Sequence, residues 1–211
     1  MADKQLNISL VNKKGGVGKT MLADEVAFAL ERRGRSVSFV SIDPQAGARH
    51  LSGSSLGSDF VIIDTRGSLD DDMRTAISLS DVCIVPFLPS EVNIPSTLET
   101  LEFIRDVNPD AIVLVVMNRY SRTKTRTSGA FMEAVRKGGL LAGEAVFHVL
   151  DRAAFQNAEA LGCSAAELDW KSCLPIEDIA SALELVAAGR PMRDVLLQAA
   201  ASSWCVLAGE R

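Results

Sequence analysis

The 211-residue sequence predicts an α/β protein: a doubly wound, mostly parallel sheet with helices on both faces. Three observations point there. Short β-branched or apolar runs alternate with amphipathic segments, the pattern of strands joined by crossover helices. The runs are apolar almost throughout, as strands covered on both faces require. A glycine-rich stretch, "KGGVGKT" at 14–20, separates the first run from the first amphipathic segment.

In chain order the strands are expected at "LNISLV" (6–11), "SVSFVSI" (36–42), "FVIID" (60–64), "VCIVPF" (82–87), "AIVLVVM" (111–117) and "EAVFHVL" (144–150). Helices are expected over 20–33, 70–80, 95–107, 128–138, 153–161, 176–188 and 191–206. Gly189 and Pro191 punctuate the last two, as a glycine after one helix and a first-turn proline in the next. The glycine- and serine-rich stretch 46–58 reads as a loop.

Composition narrows the function classes. A chain 47% hydrophobic and 23% charged is expected to form one domain over 1–211 around one core. No apolar run is long enough for a signal peptide or a membrane span, so a cytoplasmic setting is expected. Cys83, Cys163, Cys173 and Cys205 are scattered, with no C-x-x-C pair, and His50 and His148 lie far apart, which argues against a zinc or iron–sulfur site. A net charge of −5 argues against a uniformly basic nucleic-acid-coating protein, though not against a local basic patch.

The glycine-rich stretch follows an expected strand and opens an expected helix, the setting in which a phosphate-loop match has physical content. Gly15, Gly16 and Gly18 let backbone N–H groups converge on an anion, and the helix adds the positive end of its dipole. Lys19 supplies a point charge for the β- and γ-phosphates, and the Thr20 hydroxyl a magnesium ligand, so Gly15, Gly16, Val17, Gly18, Lys19, Thr20 and Met21 are candidate ATP-binding residues. The plainer alternative is a tight glycine turn with solvated lysines. What the simple motif leaves unexplained is a second lysine, Lys14, at the mouth of the loop.

"KGGVGKT" resembles the deviant Walker A motif of the ParA/MinD superfamily of ATPases. The resemblance implies that Lys14 is the signature lysine, which reaches across a nucleotide-sandwich homodimer to the phosphates held by the partner subunit. Such a cation would stabilise transition-state charge much as an arginine finger does, and would make catalysis depend on dimerisation. Lys13 stands where relatives often have Gln or Gly and is read as a surface residue.

"SIDPQAG" (41–47) is similar to the family's D-x-D-P-Q segment, with Ser41 replacing the first aspartate. The resemblance implies that Asp43 orients the attacking water close to the metal. "VIIDTRG" (61–67) delivers Asp64 to the carboxyl end of a strand, where ligands of open α/β sheets bind. It resembles the family's magnesium-holding aspartate. The following Thr65-Arg66-Gly67 departs from the usual D-x-P-P and resembles relatives that assist DNA transfer in conjugation or virulence, an alternative function. "LSDVCIVPFLPSEVNI" (79–94) and "LDRAAFQNAEALGCSAAE" (150–167) match further family segments, and "VVMNRY" (115–120) makes Asn118 the candidate for base recognition. Between Asp43 and the strand at 60, relatives usually have room for another strand or helix that this chain lacks.

The resemblance further implies that the ATP-bound dimer binds DNA nonspecifically and associates with the nucleoid, and that a ParB-like or cargo adaptor stimulates slow hydrolysis. "NRYSRTKTRTS" (118–128) is the densest basic run, making Arg119, Arg122, Lys124 and Arg126, with Arg152, candidate phosphate contacts. Any one of them has the alternative of being a solvated charge. A third function, MinD-like membrane association, would need a basic amphipathic C-terminal helix; 191–206 carries only Arg193 beside the preceding Arg190 and reads as a packing helix, so no membrane is expected.

Overall fold

The computed structural model describes residues 4–43, 47–53, 57–90, 92–120, 145–191, 194–195 and 205–207. Its elements are β1 (Leu6–Leu10), α1 (Lys19–Arg32), β2 (Val37–Ser41), β3 (Phe60–Asp64), α2 (Asp71–Leu79), β4 (Val82–Phe87), α3 (Ile94–Val107), β5 (Ile112–Tyr120), β6 (Ala145–Leu150), α4 (Ala153–Leu161), α5 (Ala165–Leu168), a 3-10 turn (Trp170–Cys173), α6 (Leu174–Ala187) and β7 (Cys205–Leu207). One sheet runs in the order β2-β3-β1-β4-β5-β6-β7. Its first six strands are parallel, and β7 joins the edge antiparallel to β6.

Both faces are covered, which is why the strands are continuously apolar. Leu22, Val26, Leu30, Ile176, Ile179 and Leu183, from α1 and α6, pack on one face with Ile8, Phe39, Phe60 and Ile62. Met73, Ile77, Leu101 and Ile104, from α2 and α3, pack on the other with Cys83, Val85 and Phe87. Burying a leucine- or isoleucine-sized side chain contributes about 1.5–3 kcal/mol, so these two layers are the main source of stability.

The sheet order places the site. From β1 the chain moves outward to β2, returns through β3, then crosses to β4 on the other side of β1. The carboxyl end of β1 therefore lies at the point where the winding reverses, the crevice in which doubly wound sheets bind ligands. Proline in a central strand usually removes a ladder bond. Here Ile84 and Pro86 turn the same backbone edge toward β1, and the ladder on that side ends where Val11 donates to Ile84 O. The missing N–H falls past the end of β1, while the Pro86 carbonyl accepts the Asn12 amide at 2.8 Å.

One expected element is corrected. A single helix over 191–206 does not form: Cys205–Leu207 is a strand, its residues registered against Ala145–Phe147 of β6. The expected helix 128–138 lies outside the described residues. In the stretch expected as a loop, Gly53 forms an isolated antiparallel bridge to Phe39, capping part of the β2 edge.

Candidate active site

Two glycines of the phosphate loop adopt backbone that other residues resist: Gly16 has φ +75° and Gly18 φ +93°. Gly18 is also required by space, because an added Cβ would lie 2.2 Å from the Asn118 amide nitrogen. Val17 is buried, and its carbonyl accepts the Asn118 amide at 2.9 Å. Asn12, fully buried, braces the loop entrance: its Nδ2 donates to Pro86 O at 2.8 Å and its Oδ1 accepts the Lys14 N–H at 2.9 Å. Gly67 closes over the loop so tightly that a Cβ there would meet Gly15 N at 2.8 Å.

The two lysines of the motif differ in environment. Lys19 is 7% exposed, and its ammonium donates to the carbonyls of Asn12 and Lys14, each at 3.2 Å. Burial lowers its pKa, against opposing pulls from Asp64 and Asp43. Lys14 is exposed at the mouth. Lys13, read from sequence as a surface residue, is half-buried: its ammonium pairs with Glu99 and its N–H donates to Thr100 Oγ1 at 3.2 Å, tying the loop to α3.

Three predicted acidic and hydroxyl groups converge. Thr20 donates to Asp64 Oδ2 at 2.7 Å, and Asp43 and Asp64 both act electrostatically on Lys19. Asp64 is fully buried, which pushes its pKa up to about 6, and its Oδ1 has no hydrogen-bond partner. An unpartnered buried carboxylate oxygen beside a threonine hydroxyl is a hard-oxygen donor set of the kind that suits a hydrated magnesium ion. Asp43 shares a cavity of about 210 Å³ with Thr20, Met21, Asp24, Gly47, Arg49 and Glu159.

Asn118 lies at a second cleft with Gly18, Met21, Arg119, Arg152 and Phe155. Arg119 has φ 52°, unusual for a residue with a side chain, where the β5–β6 register shifts between Met117 and Tyr120. Arg119 and Arg152, predicted as DNA contacts, thus line the cleft beside the phosphate loop. Arg122, Lys124 and Arg126 lie outside the described residues.

Sequence reasoning missed Asn12, Gly67, Asp24 and Arg49. Asn12 gave no signal beyond lying next to a motif, and Gly67 was read only as part of the departure from D-x-P-P. Asp24 and Glu25 gave one: two carboxylates inside the apolar run "MLADEVAFAL".

Comparison with known proteins supports the fold and identifies the family. Maintenance of carboxysome distribution protein A from Halothiobacillus neapolitanus is 25% identical over 197 residues, spanning 79% of this chain and 89% of that protein. The ATP complex of a McdA variant from Cyanothece superposes with TM-score 0.71 at 14% identity, over 90% of this chain and 98% of that one. The septum site-determining protein MinD from Pyrococcus horikoshii, complexed with Mg-ADP, gives TM-score 0.65 at 15% identity, over 87% and 99%. The model of the CobQ/CobB/MinD/ParA nucleotide binding domain matches residues 8–162, and the chain belongs to that family.

Proposed function

We propose that the protein is a positioning ATPase that binds Mg-ATP, forms a face-to-face homodimer and hydrolyses ATP slowly. The observation that carries this reading is the division between its two lysines: Lys19 is folded into the loop, where it can meet the β- and γ-phosphates, while Lys14 is presented outward at the mouth. An outward cation is idle in a monomer and useful to a second nucleotide site facing it. Thr20 and Asp64, with Asp43 nearby, would hold magnesium, which supplies charge neutralisation at the phosphates. Asp43 orients and polarises the attacking water. Asn118, already bracing Val17, keeps one N–H and acceptor capacity for the base.

In the ATP state the dimer binds DNA without sequence preference through the basic run that includes Arg122, Lys124 and Arg126, with Arg119 and Arg152 contributing from the cleft side. A ParB-like or cargo adaptor protein stimulates hydrolysis and resets the cycle, in the cytoplasm on the nucleoid. Support for positioning comes from the carboxysome-distribution relative and the McdA and MinD likenesses. Among the described residues, no helix is long and apolar enough to cross a membrane.

Light scattering after size exclusion, paired with a DNA-shift assay, tests this reading without nucleotide, with ADP and with a slowly hydrolysed ATP analogue. A dimer that shifts random-sequence DNA only with the analogue is expected. A dimer that ignores DNA would remove the DNA step, and no dimer at all would remove the sandwich.

A further inference from the structure

Two adjacent carboxylates on α1, Asp24 and Glu25, are buried in positions a helix normally gives to apolar residues. The Asp24 carboxylate accepts the backbone N–H groups of Arg49 and His50 at 2.9 and 3.0 Å, the Arg49 Nε at 3.3 Å, and shares a proton position with His50 Nδ1 at 2.7 Å. Glu25 pairs with Arg49 Nη1 at 2.8 Å and accepts the Ala165 N–H and Ser164 hydroxyl at 3.0 and 3.1 Å, capping α5. Arg49 Nη1 also donates to Cys163 O at 2.6 Å. One arginine therefore ties together α1, the loop after Asp43 and the turn that ends α4.

Burying paired charges costs several kcal/mol of desolvation, and apolar residues of similar size would often stabilise the fold as well or better. The position of the clasp suggests what it is for. Asp24 lies one helical turn beyond Thr20, and Thr20, Asp24, Asp43 and Arg49 border the same cavity. Upstream of Asp43, the sheet holds the chain through Ile42 N donating to Asp64 O at 3.0 Å. Downstream, Arg49 and His50 carry the clasp, and among the described residues no helix or strand longer than the Gly53 bridge lies between β2 and β3.

We propose that Asp24 and Arg49 are positioning residues for hydrolysis: their clasp fixes the segment carrying Asp43 against the phosphate-binding end of α1. The role rests on the ATPase reading above. It predicts a defect in turnover rather than in nucleotide affinity, because Asp43 acts on the attacking water while the phosphate loop and Asn118 are untouched.

The test compares Asp24→Asn and Arg49→Lys with Arg33→Gln, which breaks the pairs of Arg33 with Glu177 and Glu184 just past the far end of the same helix. Turnover, ATP dissociation constant and amide exchange at Arg49 and His50 are measured at a temperature where each variant is folded. Asp24→Asn is expected to lower kcat at least about tenfold with affinity within about threefold of wild type, as small misplacements of a reacting group do. Exchange at the two amides should accelerate, while Arg33→Gln keeps wild-type kcat. Should Asp24→Asn fail to fold, Arg49→Lys carries the test, since a lysine cannot span Asp24, Glu25 and Cys163 O together. An active wild type with kcat in the clasp variants within twofold, or equally reduced in Arg33→Gln, overturns the positioning role alone. A wild type that does not hydrolyse ATP overturns the ATPase reading and the role with it.

Discussion

Two loops meet the first turns of α1, and they are held in opposite ways. The phosphate loop is set by backbone: left-handed glycines at 16 and 18, a glycine at 67 with no room for a methyl group, and the Asn12 and Asn118 amides on its peptide groups. The loop after Asp43 is set by buried charge, through Arg49 and His50 on Asp24 and Glu25. A backbone-built loop presents N–H groups of fixed direction and suits an anion bound the same way at every turnover. A charge-built clasp depends on protonation and on exact side-chain reach, so it should respond to pH and to conservative substitution where the first loop does not.

The largest expected effect is on the backbone-built side. Gly18→Ala places a Cβ 2.2 Å from Asn118 Nδ2 at a φ of +93°, so the loop or Asn118 must move. ATP binding should become undetectable by calorimetry, with stability falling by about 1–3 kcal/mol in thermal unfolding. An alanine variant that binds ATP normally would show that the loop is not fixed by its backbone.

Asp64 comes next and acts in two directions. Its pKa is raised from 3.8 to about 6 because burial disfavours the charge. Protonation is thus favoured in the folded state, so its stabilising contribution is present below about pH 4 and lost as pH rises through about 6. Asp64→Asn should remove that slope and make the nucleotide-free protein more stable at pH 7.5, by at most about 3 kcal/mol, while abolishing magnesium-dependent ATP turnover. Stability unchanged across pH 4–7 in both proteins would contradict the burial argument.

The smallest effect belongs to the clasp. Burial works against the His50 cation, but the hydrogen bond and charge of Asp24, helped by Glu31, raise its pKa above 6.5. Its contribution is complete below that value and is lost as pH rises through the higher folded-state value. His50→Gln should flatten the fall in stability on the alkaline side of 6.5 and leave the acidic side unchanged; an unaltered alkaline slope would remove His50 from the clasp's titration.

The same contrast explains what could be read from the sequence. The glycine turn, Asp64 at its strand end and the six parallel strands follow from local patterns of glycine spacing and apolar runs, while the roles given to Asp43 and Lys14 came from the family resemblance. Asp24 and Glu25 stood out only as two carboxylates in an apolar run; their role did not follow, because a charged residue in an amphipathic helix is ordinarily solvent-facing, and their partners lie 25 residues away at Arg49 and 139 and 140 residues away at Ser164 and Ala165. Cys205–Leu207 was misread for a related reason: its pairing with β6 is non-local, and the apolar run around it also fits a helical period. Lys13 was read only as a surface residue, because Glu99 cannot be seen as its partner along the chain.

The central claim, that Lys14 serves the partner's nucleotide, is tested most directly by mixing two inactive proteins. Lys14→Ala and Lys19→Ala should each lack ATP hydrolysis. In a mixed dimer, the Lys14→Ala protomer keeps its own Lys19 and receives Lys14 from its partner, so one of two sites is whole. An equimolar mixture is expected to recover roughly a quarter of wild-type turnover, since half the dimers are mixed and each carries one complete site. Turnover that stays at the level of the separate variants would contradict the claim and make Lys14 a residue of its own loop.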